Sequence, residues 1–149
     1  MSYLEPLRVK RLTNTASIPK RSTLYSSGLD LFADLGGNGN VVELSIVPTL
    51  ISTGLALEIP KGFEVQIRPR SGLSREGVDV AFGTVDADYR GELKVNMALH
   101  GDQGKVIQIH HGDRIAQLVV APVSLVEVEE VDELGKTTRG TGGFGSTGR

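Results

Sequence analysis

The apolar residues of this 149-residue chain alternate in many short runs, and that pattern constrains the fold more than any other feature. Leu7–Val9, Val41–Ile46, Leu55–Ile59, Phe63–Ile67, Leu93–Leu99, Val106–Ile109, Ile115–Val120 and Leu125–Val131 all read as strands. Each is rich in β-branched side chains and bounded by Gly, Pro, Asp or Asn. A period of two buries one face of a strand and wets the other. No window of 12 or more residues carries a 3.6-residue apolar period. The chain is therefore expected to be all-β: a sandwich, a barrel or a jelly roll. One short helix is expected after Arg70, with Ser71 as its N-cap and Glu76 and Gly77 closing it. Leu35–Asn40 (LGGNGN) reads as a turn-rich hairpin tip.

Composition excludes several classes of function. The length suits one domain with one core. Without cysteine there is no disulfide, thiolate metal site or cysteine nucleophile. A net charge of −2 supplies no field to hold a nucleic acid duplex. No apolar run approaches the ~20 residues of a membrane span. Met1–Lys10 lacks an apolar h-region, so a cytoplasmic protein is expected, or a nuclear or organellar one if the source is eukaryotic. The chain divides into a β-domain, residues 1–134, and a Gly-rich tail, residues 135–149, in which Phe144 is the only large apolar residue. Such a tail cannot fold alone and is expected to be flexible.

Some motif matches fail on context. Gly140–Gly145 fits G-x-G-x-x-G, but four residues of chain remain, too few for a dinucleotide-binding unit. Gly135-Lys136-Thr137 has no α/β domain after it. His110 and His111 are adjacent on a strand and point to opposite faces, so they read as a polar loop rather than a metal site. Glu127–Glu133, with five carboxylates in seven residues, reads as the solvated face of a strand and its exit turn.

Five other segments concentrate Gly, Ser, Arg and Asp: Ser27–Ala33 (SGLDLFA), Arg68–Ser74 (RPRSGLS), Gly83–Glu92 (GTVDADYRGE), Gly112–Leu118 (GDRIAQL) and Arg139–Gly148 (RGTGGFGSTG). Together they form an inventory for a polyphosphate. Arg70 and Arg139 can fork onto phosphate oxygens. Ser71 offers a hydroxyl, and Gly72 lets the backbone approach an anion closely. Ser146 and Thr147 add donors on a flexible strip. Asp30, Asp86 and Asp88 supply carboxylates for a hydrated cation or for proton abstraction. Tyr89 and Phe144 suit packing on a sugar and a base. Taken singly, each segment is more often structural, because Asp and Gly also form turns and Arg–Asp pairs often only satisfy each other.

In order and spacing the five segments resemble the five motifs of the trimeric dUTPases, and the resemblance runs from Ser27 to Gly148. It implies a jelly-roll-like distorted barrel, a homotrimer whose sites are shared by all three subunits, and a tail that closes over a neighbour's site. It implies hydrolysis of dUTP to dUMP and pyrophosphate by water attack on the α-phosphorus, with Mg²⁺ bridging the phosphates. That reaction keeps uracil out of DNA and supplies dUMP for thymidylate synthesis. Asp86 matches the carboxylate that orients and deprotonates the water. Asp30 matches the residue that meets Mg²⁺ through water. Arg70, Ser71, Gly72 and Gln117 match phosphate-binding residues. Arg139, Gly145, Ser146 and Thr147 match tail groups at the γ-phosphate end, and Phe144 matches the aromatic that stacks on uracil. The hairpin Val80–Tyr89 would read the base through main-chain groups near Gly83, Thr84, Val85 and Asp86. Tyr89 would pack where a ribose 2′-hydroxyl would sit, and Lys94 would flank the substrate. Val80 stands where many bacterial relatives have an Asn, and Phe82 is bulkier than the family pattern suggests. A dCTP deaminase shares the fold but lacks this hairpin and tail. A nucleotide-sensing protein would share the scaffold without turnover, and a coat-type jelly roll would not need the Arg and Asp loops.

Overall fold

A computed structural model describes residues 5–101, 104 and 106–143. Its strands are β1 (Arg8–Arg11), β2 (Leu29–Phe32), β3 (Val41–Leu44), β4 (Thr49–Ser52), β5 (Leu55–Glu58), β6 (Phe63–Arg68), β7 (Val78–Val80), β8 (Gly83–Val85), β9 (Lys94–Leu99), β10 (Ile107–His110) and β11 (Arg114–Pro122). They pair antiparallel in four small sheets, β1-β5, β10-β3, β2-β11-β6-β8 and β4-β9-β7. Among the described residues the sheets do not join into a closed barrel; they wrap one core.

That core follows the period of two. Val65 and Ile67 on β6, Val95 and Met97 on β9, and Ile109 on β10 are buried, with polar or partly exposed residues between them. Leu31, Ile51, Leu55, Val78, Ile115 and Leu118 complete its fully buried centre. Each such aliphatic side chain contributes roughly 1.5–3 kcal/mol on leaving water. β11 carries a bulge: Arg114 faces Phe32 and Ala116 faces Leu31, so Ile115 is the extra residue. Ile115 and Ala116 are both buried, and beyond them Gln117 comes opposite Asp30.

The structure corrects several expectations. Leu125–Val131 is not a strand. It finds no partner strand among the described residues, and Leu125 and Val128 are 85% and 96% exposed. LGGNGN is not a hairpin tip, because β2 and β3 on either side pair with β11 and β10 rather than with each other; it is a corner between sheets. The segment Val80–Tyr89 is likewise no two-stranded hairpin: β7 pairs with β9 and β8 with β6. β2 and β4 are strands that the alternation did not separate from their surroundings. The helix, α1 (Ser71–Arg75), forms where expected, but its N-cap is Arg70 in extended conformation, which leaves Ser71 as the first helical residue.

Candidate active site

The central sheet sets Gln117 of β11 between Asp30 of β2 and Arg68 of β6. From Arg68 the chain runs through Pro69 and Arg70 into α1. Arg70 folds back: its Nε donates to Asp30 Oδ1 at 3.0 Å and its Nη1 to the Arg114 carbonyl at 3.1 Å. Asp30 Oδ2 accepts from Ser22 Oγ at 2.9 Å and lies 3.6 Å from Arg114 Nη1. Gln117 Nε2 donates to the Pro69 carbonyl at 2.8 Å. Gly28 leaves room for that side chain, since a Cβ there would stand 2.4 Å from Gln117 Oε1. Two guanidinium groups thus meet one carboxylate, beside the exposed Ser71 and Gly72. The excess positive charge and the open first turn of α1 suit an anion with several oxygens.

A second feature opens between β8 and the start of β9, which belong to different sheets. A cavity of about 490 Å³ is lined by Gly83, Thr84, Val85, Tyr89 and Lys94, with Leu50 and Ile67 as apolar walls. The register Gly83–Ile67, Thr84–Gln66 and Val85–Val65 places these residues. The Tyr89 amide donates to the Asp86 carbonyl at 3.1 Å, which closes a turn, and its hydroxyl donates to the Glu92 carbonyl at 3.1 Å. Lys94 Nζ lies 3.5 Å from Glu92 Oε2, and Glu92 Oε1 accepts the Gly54 amide at 3.1 Å. Val80 is buried in the core, so toward a base it could offer main-chain groups only. Phe82 is exposed.

Asp86 does not join Arg70 within one chain. It is exposed and borders a different cavity, of about 450 Å³, with Gly62, Glu64, Asp88 and Val123. It lies one residue past the Val85–Val65 pair, whereas Arg70 lies five residues the other way along β6 and its exit. The register thus sets Asp86 beside the start of β6 and Arg70 beyond its far end. Arg139 is exposed in the tail and its Nε donates to the Gly142 carbonyl at 2.8 Å. Phe144, Gly145, Ser146 and Thr147 lie outside the described residues. A larger cavity, about 530 Å³ between Arg8, Glu58, Lys61 and Arg90, contains neither Arg70 nor Asp86.

Sequence reasoning missed Ser22 and Arg114 as partners of Asp30, and Glu92 as the partner of Lys94. Their signal lay only in pairings that cross between strands. It also missed a buried network around Asp34. Thr13 Oγ1 and Thr15 Oγ1 donate to its two carboxylate oxygens, the latter at 2.6 Å, and the Gly36 amide donates at 3.3 Å. His111 Nδ1 lies 3.6 Å from Asp34 Oδ1 and accepts the Leu35 amide at 3.1 Å. Burial pushes the Asp34 carboxyl up, but these hydrogen bonds, aided by His111, outweigh it and hold the group below its ordinary value. Among the described residues no group of three or more His, Cys, Asp or Glu could hold a metal ion.

The dUTPase family profile matches residues 14–148. The deoxyuridine 5′-triphosphate nucleotidohydrolase of Hydrogenobaculum sp. (strain Y04AAS1) is 49% identical over 145 residues, covering 95% of this chain and 97% of that relative. Among solved structures, the Staphylococcus bacteriophage 80alpha dUTPase with dUPNHPP is 29% identical at a TM-score of 0.85, covering 98% of this chain and 100% of that one. A point mutant of the dUTPase from phage phi11 of S. aureus, whose structure reveals the coordination of a structural Mg(II) ion, is 26% identical at a TM-score of 0.76 and covers 87% of this chain and 98% of that one. The fold and these likenesses define an enzyme class, the nucleotidohydrolases. Within that class the chain belongs to the dUTPase family.

Proposed function

We propose that the protein hydrolyses dUTP to dUMP and pyrophosphate in a homotrimer whose sites are shared between subunits. The observation that carries this reading is the separation of Asp86 from the Arg70–Asp30–Gln117 cluster within one chain. In this reading a single nucleotide meets both across a subunit boundary. The exposed apolar side chains of Leu125, Val126 and Val128 support the same reading, because a neighbouring subunit would cover them. A dUTPase relative bound to dUPNHPP supports the substrate class.

In this reading Arg70, with Ser71, Gly72 and Gln117, holds the phosphates. Asp86 orients a water molecule and takes its proton as the oxygen bonds to the α-phosphorus. The bond from that phosphorus to the bridging oxygen breaks, and its electron pair leaves with pyrophosphate. A carboxylate is a weak base, so positioning and charge neutralisation carry most of the rate. Gly83, Thr84 and Val85 read the base, Tyr89 crowds the sugar and Lys94 flanks it. Arg139, Phe144, Gly145, Ser146 and Thr147 close over a neighbour's site.

Asp30 fits a role toward Mg²⁺. It is a single carboxylate already engaged by Arg70 and Ser22, suited to an ion that keeps its own water and is ligated chiefly by phosphate. Asp30 would hold the hydrated ion, as a Mg(II)-binding family relative encourages. When bound, Mg²⁺ neutralises phosphate charge and fixes the phosphate conformation. The protein would act in the cytoplasm, removing dUTP before it enters DNA and supplying dUMP for thymidylate synthesis, without a nucleic acid or membrane partner.

The test is pyrophosphate release from dUTP, dCTP, dTTP and UTP with Mg²⁺, for wild type and Asp86→Asn side by side. Release from dUTP alone, lost in the variant, supports the reaction, the base and the selectivity. Release from dCTP, or from none of the four, refutes it.

A further inference from the structure

Tyr89 and Gly91 meet in a way that neither the cavity nor the motif explains. A Cβ built on Gly91 would stand 2.3 Å from Tyr89 Oη, 2.5 Å from Cζ and 2.9 Å from Cε2. Real Cβ atoms do not approach other heavy atoms so closely. The backbone of Gly91 is not in the left-handed region, so conformation does not call for glycine here. Space does: the phenol tip fills the volume a side chain would take. The same hydroxyl donates to the carbonyl of the next residue, Glu92, at 3.1 Å. The ring is therefore seated at two points, on the bare Cα of Gly91 and on the Glu92 carbonyl. Tyr89 is 47% exposed, so surrounding packing does little else to select its rotamer.

This seat lies at the rim of the cavity formed with Gly83, Thr84 and Lys94. We propose that Gly91 is a specificity-positioning residue: by leaving room for the Tyr89 ring it fixes the rotamer that excludes a ribose 2′-hydroxyl. The proposal rests on the reading of Tyr89 as the sugar contact. The displaced atoms are the far end of a side chain on the surface. An added methyl group would be accommodated by a swing of the ring, with the fold retained. Discrimination between sugars, rather than stability, should change.

The experiment compares kcat and KM for dUTP and UTP in wild type, Gly91→Ala, Tyr89→Phe, Tyr89→Ala and the Gly91→Ala/Tyr89→Ala double variant. Gly91→Ala should keep its melting temperature and raise the relative kcat/KM for UTP about 10–100-fold, the range of one lost steric contact in a pocket. For dUTP, KM should rise while kcat changes little. Tyr89→Phe keeps the ring on Gly91 and should change discrimination less. In the Tyr89→Ala background the Gly91→Ala change should have no further effect, since it acts through the ring. With no Trp and three Tyr in the chain, the near-ultraviolet circular dichroism that wild type loses in Tyr89→Ala isolates this ring, and Gly91→Ala should lose most of that same difference signal. A wild type that accepts UTP as readily as dUTP sinks the reading of Tyr89 itself. A discriminating wild type with an equally discriminating Gly91→Ala variant sinks the proposal alone. Failure of Gly91→Ala to fold, or additive effects in the double variant, overturns it as well, because the role of Gly91 would then be structural.

Discussion

Gly54→Ala should be among the most damaging single-methyl changes available in this chain. Gly54 sits between β4 and β5 with φ +65°. Its amide serves Glu92 and its carbonyl accepts the Leu12 amide at 2.7 Å, so the backbone is pinned on both sides. A Cβ there would lie 2.3 Å from Asp34 Oδ2, 2.8 Å from Ala16 Cβ and 2.8 Å from Thr13 Oγ1. A left-handed conformation costs an L-residue roughly 1–2 kcal/mol. Displacing the Asp34 carboxylate, which is 7% exposed, breaks its bond from Thr13, and a buried group short of a partner costs about 1–3 kcal/mol. The sum is about 2–5 kcal/mol. At about 2–4 °C per kcal/mol for a chain of this size, Tm should fall by about 4–20 °C. Thermal melts followed by circular dichroism, with Gly62→Ala as the control, measure this. Gly62 also has a positive φ, +82°, but a Cβ there meets nothing within 4 Å, so only the conformational cost applies. If Gly54→Ala melts no lower than Gly62→Ala, the steric argument about Asp34 is wrong.

Asp86→Asn should abolish turnover while leaving nucleotide affinity within a few-fold; near-normal turnover would remove Asp86 as the base. A chain ending at Arg139 should melt like wild type and keep the wild-type mass in light scattering, with little activity; a smaller assembly than wild type would show that the tail has been misassigned. Asp34 titrates below its ordinary value of 3.8 in the folded protein. Its contribution to stability is therefore complete above that value and lost as pH falls through the folded-state value. The gap in urea midpoint between wild type and Asp34→Asn should accordingly be constant at neutral pH and begin to narrow as pH falls below 3.8. An equal gap in both ranges would mean that the network does not favour the charged form.

The all-β class was legible because alternation survives in β6 and β9, where Val65, Ile67, Val95 and Met97 point inward. It misled at Leu125–Val131, since a period of two shows that a segment is fit for a ladder but not that its own chain supplies the partner. The carboxylate and guanidinium groups of the site stood out as residue types, yet their partners did not. Ser22, Arg114 and Asp30 converge only through the β2-β11 register and the return of Arg70. Val80 is a different case. Its place in a motif left the role of its side chain open, and the pairing of β7 with β9 turns that side chain into the core, so that only its main chain can face a base. Asp34 follows the apolar run Leu31–Ala33, and nothing local marks it as buried. Thr13, Thr15 and His111, which hold it, come from distant parts of the sequence.

The bulge at Ile115 governs which changes of length β11 can tolerate. Two consecutive residues face inward there, so the strand leaves the bulge with its parity reversed. Removing one residue between Gly112 and Gln117 would restore strict alternation and turn Gln117 away from Pro69 and Asp30. It would drive polar side chains into the volume now held by Ala116 and Leu118. Point substitutions at its outward-facing positions leave the ladder in phase, but a single-codon deletion does not. Length variation between descendants of this sequence should therefore gather at the corner of residues 35–40, where an added residue leaves every ladder in phase.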